Sequence, residues 1–329
     1  MKENIDFYFD KNYGKLYEKC ESGIQEIFEY EDNNGKISNQ FIKRKIDIDL
    51  DEKKYFDITT PYGYGGPIIE FCSGNKEKLL EEYEKKFRKY CIDNSIISEF
   101  IRFHPMVENA LDFENVYNPI YMRKTLVTNL KDYSDPVQSQ FGKNCRKSIR
   151  QAFNKGITYN IVEGPENLDN FKKIYYDTMK RNNATDYYFF DDEYFENLLK
   201  YYRKNTVLIE AIFEGKVIGV CLYFVYNKII HVHLSGTVSE YLYLSPEYIL
   251  QYAITVWGKE NGYDFIHRGG GRSNSEDDSL YLFKRNFAKI ETRDFYIAKK
   301  IWNEDIYKKM CELKNVSPSE AFFPAYRKV

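Results

Sequence analysis

Several short stretches of the sequence carry residue types able to do chemistry. In "PYGYGGP" (61–67) three glycines stand between two prolines. Glycine-rich turns cradle phosphates when their N–H groups and the start of a following helix converge on the anion. Here Pro67 has no N–H, and "IIEF" intervenes before a helix can begin. The expectation is a stiff, close-packed turn. Gly63, Gly65 and Gly66 bend its backbone, and Tyr62 and Tyr64 offer rings and hydroxyls to a substrate. A second run, Gly269 to Gly271, leads into the polar "RSNSEDDS" (272–279). Lack of a Cβ permits close backbone approach to a ligand, so Gly270 and Gly271 are candidate binding positions in a cleft-edge loop. Asp277 and Asp278 can orient an attacking amine or cap the helix that "SLYLFK" begins.

His231 and His233 stand two apart on one strand face, without a third ligand at clear spacing. Core packing or cleft lining is expected there rather than zinc. From Pro136 to Val162 there is no acid, and Arg146, Lys147 and Arg150 lie close together with Lys143 and Lys155. That pattern suits either a solvated helix face or contact with an RNA backbone. No cysteine or serine lies in a nucleophile motif.

These residues need a scaffold. The 329 residues suit two domains of roughly 150 residues each. Hydrophobic residues at 43% supply cores, and the charges nearly cancel at a net −2, which leaves no global field for nucleic acid. The 31 tyrosines and 24 phenylalanines give many amphipathic rings for a wide cleft. None of the six cysteines forms a CxxC pair, which fits free thiols in a reducing compartment. "MKENIDFYFD" lacks the apolar core of a signal peptide. The longest apolar run, "VIGVCLYFVY" (217–226), is about half of the ~20 residues a membrane span needs. The expectation is a soluble, cytoplasmic protein without a membrane span.

The first half reads as a short helix over 11–21, a hairpin about Asp32-Asn33-Asn34-Gly35, further strands and one amphipathic helix. "FGKNCRKSIRQAFNKGI" predicts an amphipathic helix ended at Gly156, taken as the hinge. Two helices follow, then a three-strand meander with turns at Glu214-Gly215 and Asn227-Lys228. A helix from Pro246 to about Gly262 and the short strand "DFIHR" come next. Helix pair, meander, helix, strand is the order of a GNAT acyltransferase domain, and the first half is a looser version of it. The expected fold class is α+β with two tandem GNAT-like domains. They would span 1–142, with 306–329 a candidate to complete it, and 143–305.

Several motifs in order resemble the FemABX-like transferases, tandem-GNAT proteins related to peptidoglycan bridge-forming aminoacyltransferases. They are "YGYGGPIIEF", the basic "FGKNCRKSIRQAFNKGI", "YYDTMKRNN", "LSGTVSEYLYLSPEYILQYAITVWGKENGYDF" and the Phe-Lys segment "LYLFKRNF". The resemblance covers about residues 24 to 300, without the coiled-coil arm of some bridge-forming enzymes. It implies transfer of an acyl or aminoacyl group onto an amine of a cell-envelope or polysaccharide precursor, small or nucleotide-linked. By this resemblance Lys284 is a catalytic candidate that holds the donor's phosphate or steadies the oxyanion, with Asp278 beside it. Phe283 stacks on the donor's base or packs in the core, and Arg181 grips a phosphorylated acceptor. Ser235 and Gly236 belong to the binding loop, and Arg146, Lys147 and Arg150 would meet a tRNA acceptor arm. No cofactor is bound tightly; the donor is aminoacyl-tRNA or acyl-CoA. After Gly236 the loop has no further glycine, which argues against a standard CoA cradle. The rivals are a CoA-dependent N-acetyltransferase and, of another class, an inactive binding or assembly protein.

Overall fold

Apolar and polar residues alternate in "GIQEIFEYE" and "KISNQFIKRKIDI", and Asn33-Asn34 lets the chain reverse between them. The computed structural model describes residues 5–50, 52–275 and 277–328. In it these segments are β1 (Gly23–Asp32) and β2 (Gly35–Leu50), paired antiparallel from Gly23↔Arg44 to Asp32↔Gly35. There follow β3 (Lys53–Thr59), β4 (Ile68–Cys72), α1 (Lys76–Asp93), β5 (Ile96–Arg102), α2 (Asn109–Asp112) and α3 (Glu114–Tyr117). The helix expected over 11–21 is only a 3-10 turn, Gly14–Tyr17, next to which the rings of Tyr13 and Tyr17 are buried against each other.

A second group of elements comprises β6 (Ile120–Asn129), α4 (Pro136–Gln140), α5 (Lys143–Asn154), β7 (Thr158–Glu163), α6 (Asp169–Arg181), α7 (Asp192–Tyr202), β8 (Thr206–Phe213), β9 (Lys216–Tyr226), β10 (Ile229–Thr237), α8 (Pro246–Glu260), β11 (Phe265–Gly269) and α9 (Ser279–Arg285). The chain ends with β12 (Glu291–Ile301) and α10 (Glu304–Leu313). It forms two compact units: residues 1–122 with 294–329, and residues 123–293. The sequence predicts a boundary at 142/143 with the basic helix as the hinge. Here α5 is a core helix of the second unit, burying Cys145, Ile149 and Ala152 in the cluster that holds Ile249, Leu250 and Ala253 of α8.

In the first unit the strands run β1-β2-β3-β5-β12, and β4 pairs with β2. β3 and β5 are parallel, and α1 lies between them in the chain. Asn75 caps α1 by accepting from Lys78 N at 3.0 Å, and Leu79, Tyr83 and Phe87 pack on Ile37, Phe41, Ile96 and Trp302. The 61–67 segment packs within this unit. Gly63 and Gly66 have φ of +87° and +86°, and a Cβ would fall 2.6 Å from the Tyr8 ring and from Ile101, respectively. Gly65 N–H donates to Arg102 O, and Asn109 Nδ2 donates to the carbonyls of Gly65 and Pro67. Tyr62 packs on Tyr17, and Tyr64 is edge-on to Tyr8, His104 and Phe295. The turn is close-packed, and its two rings, expected to meet substrate, make aromatic contacts within their own unit.

In the second unit the order is β6-β11-β10-β9-β8-β7. Glu214-Gly215 and Asn227-Lys228 all have positive φ, the backbone of tight two-residue hairpins. β10 and β11 are parallel, and α8 makes the crossover between them. Alternation along β9 sorts the helices. Cys221, Tyr223 and Val225 face the cluster containing α5 and α8, whereas Phe224 meets Tyr202 of α7. No helix among the described residues is long and apolar enough to cross a membrane.

Candidate active site

Gly236 decides how α6 meets β10. A Cβ there would stand 2.8 Å from the carbonyl oxygen of Ile174, so glycine lets the helix lie directly on the strand. That closeness brings the last turn of α6 to the end of β10. Thr237 N–H donates to Thr178 Oγ1 at 2.9 Å, and Arg181 donates to Thr237 O at 2.7 Å, Thr237 Oγ1 at 2.9 Å and Ser239 Oγ at 2.9 Å. Beyond this junction lies a cavity of about 280 Å³. Thr178, Arg181, Ser235 and Thr237 line one side, and Glu247 and Gln251 of α8 another. Arg268 of β11 and Phe283, Lys284 and Phe287 complete it.

Arg268 is 2% exposed. Its guanidinium donates to Thr128 Oγ1 at 2.7 Å, to Thr255 Oγ1 at 3.0 Å and to Gln251 Oε1, and it lies against the rings of Phe141 and Phe287. These partners are neutral. Burial lowers its pKa to about 10, which still leaves it charged at neutral pH. Lys284 Nζ donates to Gly270 O at 2.9 Å. Burial first, and then the charge of Arg268, bring its amine down to about 8. Glu247 has its carboxyl pushed up to about 7 by burial, despite hydrogen bonds from Ser235 and Gln251 and the nearby Arg181.

The glycine run serves the protein itself. A Cβ on Gly271 would lie 2.4 Å from Asp278 Oδ1, and the Gly270 carbonyl receives Lys284. Asp278 caps α9 by accepting from Tyr281 N at 2.9 Å; its other oxygen accepts from Arg272 N, Ser273 N and Ser273 Oγ. Those bonds, that from Tyr281 foremost, hold it down at about 2. A carboxylate so engaged orders the loop and is poorly suited to take a proton. Asp277 is exposed, and Glu276 of the same loop lies outside the described residues. His233 shares a 2.5 Å hydrogen bond with Tyr194 Oη, and burial drives its pKa down to about 3. His231 packs edge-on against His267. Arg146 donates to the carbonyls of Gln138 and Phe141, whereas Lys147 and Arg150 are exposed on α5.

The structure thus gathers Arg181, Ser235, Phe283 and Lys284 around one cavity, beside Gly236 and Gly270. Sequence reading missed Glu247, Gln251 and Arg268. Glu247 looks like an acid complementing the first turn of a helix. Arg268 stands beside His267 in the short strand Phe265–Gly269, where nothing local announces its burial.

Residues 111–216 match the FemAB family. The UDP-N-acetylmuramoylpentapeptide-lysine N(6)-alanyltransferase of Weissella viridescens is 26% identical over 193 residues, 57% of this chain and 56% of that protein. Over these residues the chain is similar to the FemAB family, and it aligns with little more than half the length of that curated relative. The crystal structure of FemX superposes with a TM-score of 0.67 at 13% identity, over 93% of this chain and 95% of that one. The C-terminal domain of a putative lysylphosphatidylglycerol synthetase from Agrobacterium fabrum gives 0.58 at 12% identity, over 94% and 97%. At such identities the likeness is one of fold, a mixed α and β architecture as the sequence predicts.

Proposed function

We propose that the protein transfers an acyl or aminoacyl group onto an amine of a nucleotide-linked cell-envelope precursor. The observation that carries this reading is the cavity of the second unit. There a buried guanidinium and a half-buried lysine amine stand together over a space of about 280 Å³. An amine attacking an activated carbonyl generates an oxyanion, and preorganised cations in a water-poor cavity stabilise it. Lys284, fixed by Gly270 O, serves the oxyanion, and Phe283 and Phe287 exclude water. Arg181 has three of its donor contacts on Thr237 and Ser239, which fixes its plane; its remaining N–H groups serve the acceptor's phosphate. The likeness to an alanyltransferase acting on a UDP-linked pentapeptide supports this acceptor class.

Aminoacyl-tRNA is the donor we favour. In the slot where a GNAT domain holds CoA pyrophosphate, the 3-10 turn Ser239–Leu244 and Pro246 replace a glycine cradle. Lys147 and Arg150, exposed on α5, are available to the tRNA backbone. The test supplies radiolabelled alanyl-tRNA or acetyl-CoA with a lysine-containing UDP-N-acetylmuramoylpentapeptide. Label in the precursor from alanyl-tRNA is expected; transfer from acetyl-CoA alone would replace the tRNA reading by the N-acetyltransferase one. No transfer from either, with precursor binding intact, would leave a binding protein.

A further inference from the structure

Four of the residues lining the cavity are cationic: Arg181, Arg268, Arg272 and Lys284. A single carboxylate, Glu247, faces them among the described lining residues. We propose that Glu247 is the proton acceptor of the transfer, held in place by Gln251 and Arg268 as positioning residues. This rests on the transferase reading above.

The chemistry requires such a group. As the acceptor amine attacks, the N–C bond forms and the donor's ester C–O bond breaks. The new amide nitrogen carries one proton too many, and the leaving oxygen lacks one. A carboxylate within the cavity takes the first proton and returns it to the leaving hydroxyl, so the step balances without a further reagent.

Guanidinium groups cannot accept that proton at neutral pH. The titratable and charged groups facing Glu247 come from several elements: Arg181 from α6, Cys221 and Tyr223 from β9, Arg268 from β11 and Lys284 from α9. Burial keeps Cys221 and Tyr223 protonated. Lys284 as an ammonium holds the oxyanion and keeps its own proton.

Positioning follows from one side-chain amide. Gln251 stands four residues after Glu247, one turn along α8. Its Oε1 accepts from Arg268, which turns its amide N–H groups toward Glu247. Ser235 supplies a second hydrogen bond. Ser235 and Gln251 thereby hold the carboxyl, and Glu247 lines the cavity. Its raised pKa of about 7 suits a base working near neutrality.

The experiment measures kcat, KM and their pH dependence for the full chain, using alanyl-tRNA and the UDP-linked pentapeptide as probes. Glu247→Gln is expected to lower kcat by about 100-fold or more and to abolish the rise of rate with pH through neutrality. Melting temperature and pentapeptide binding should stay near wild type. Glu247→Asp should recover part of kcat and keep a pH-dependent rise. A Glu247→Gln enzyme with most of the wild-type rate, or with the same rise, overturns the role while leaving the transferase reading intact. An inactive wild type overturns both. If Glu247→Gln does not fold, Glu247→Asp decides: a reduced kcat with a displaced rise supports the role, and an unchanged profile overturns it.

Discussion

In the first unit, Asp57 is fully buried and lies between two arginines. It accepts from Arg44 Nε at 2.8 Å and from Arg327 Nε, and Tyr326 Oη donates to it at 3.2 Å. In the second unit, Arg268 is almost as deeply buried, yet its partners are two threonines, a glutamine and two ring faces. One buried charge is neutralised on the spot; the other keeps its field. The carboxyls repeat the contrast. Glu99 and Glu247 both have pKa values raised to about 7 by burial. Glu99 accepts from Asn39 Nδ2 at 2.9 Å and Trp302 Nε1 at 3.2 Å, among the core rings of its unit. Glu247 opens on a cavity. A raised pKa therefore does not by itself mark a site; a raised pKa beside unneutralised cations and open space does.

Four measurements can break or sharpen this contrast. Replacing Lys284 with Met should cut kcat by about 10²–10³ while leaving the melting temperature close to wild type; a fall in stability matching the fall in rate would make Lys284 a structural residue. Asp57→Ala should do the opposite. Two arginines lose their shared acid, so urea unfolding should show a loss of about 3–5 kcal/mol, with the specific activity of the folded fraction preserved.

The third test concerns Glu99. Its folded-state pKa lies above that of an unfolded carboxyl, so the folded protein holds this proton more tightly. The stability it confers is present at acidic pH and is lost as pH rises through the interval between the ordinary value, 4.5, and about 7. Glu99→Gln should flatten that slope by up to about 3 kcal/mol, measured as denaturant midpoints at acidic and mildly alkaline pH, without altering the pH dependence of rate. The fourth test, Arg268→Met, is read on the shape of the pH profile rather than on kcat, which should itself fall as the cavity loses a cation and Gln251 its anchor. The Arg268 charge helps to depress the Lys284 amine, so the alkaline fall in rate, set near pH 8, should move to higher pH. An unmoved alkaline limb would show that burial alone tunes Lys284.

Much of the scaffold was legible because its signals are local. The hairpins at Glu214-Gly215 and Asn227-Lys228 need only residues that tolerate positive φ, and the Pro246 start and Gly262 end of α8 need only backbone chemistry. Among candidate site residues, Arg181, Ser235, Phe283 and Lys284 could be picked out by ordered motifs. β7 escaped notice because "TYNIVE" is six residues long with an irregular burial pattern. Gly270 and Gly271 looked like ligand contacts; what they accommodate is Lys284 and Asp278, residues some seven to fourteen positions away. Glu247 and Arg268 escaped for a deeper reason. What distinguishes them is lost hydration, and that follows from α6 closing on Gly236 and from α8 crossing between β10 and β11, events no short window records.

The first unit is made from both ends of the sequence, with residues 123–293 between them. On a ribosome this fixes an order of events. Glu99 of β5 is synthesised long before Trp302, and Asp57 long before Arg327, so neither buried acid has its full set of partners until residues 302 and 327 have emerged. The second unit, continuous in sequence, is free to assemble first. The half-built first unit meanwhile holds two incompletely partnered acids and an uncovered sheet, and release of stalled chains lacking residues 294–329 should yield a folded cavity attached to a segment that chaperones and proteases recognise.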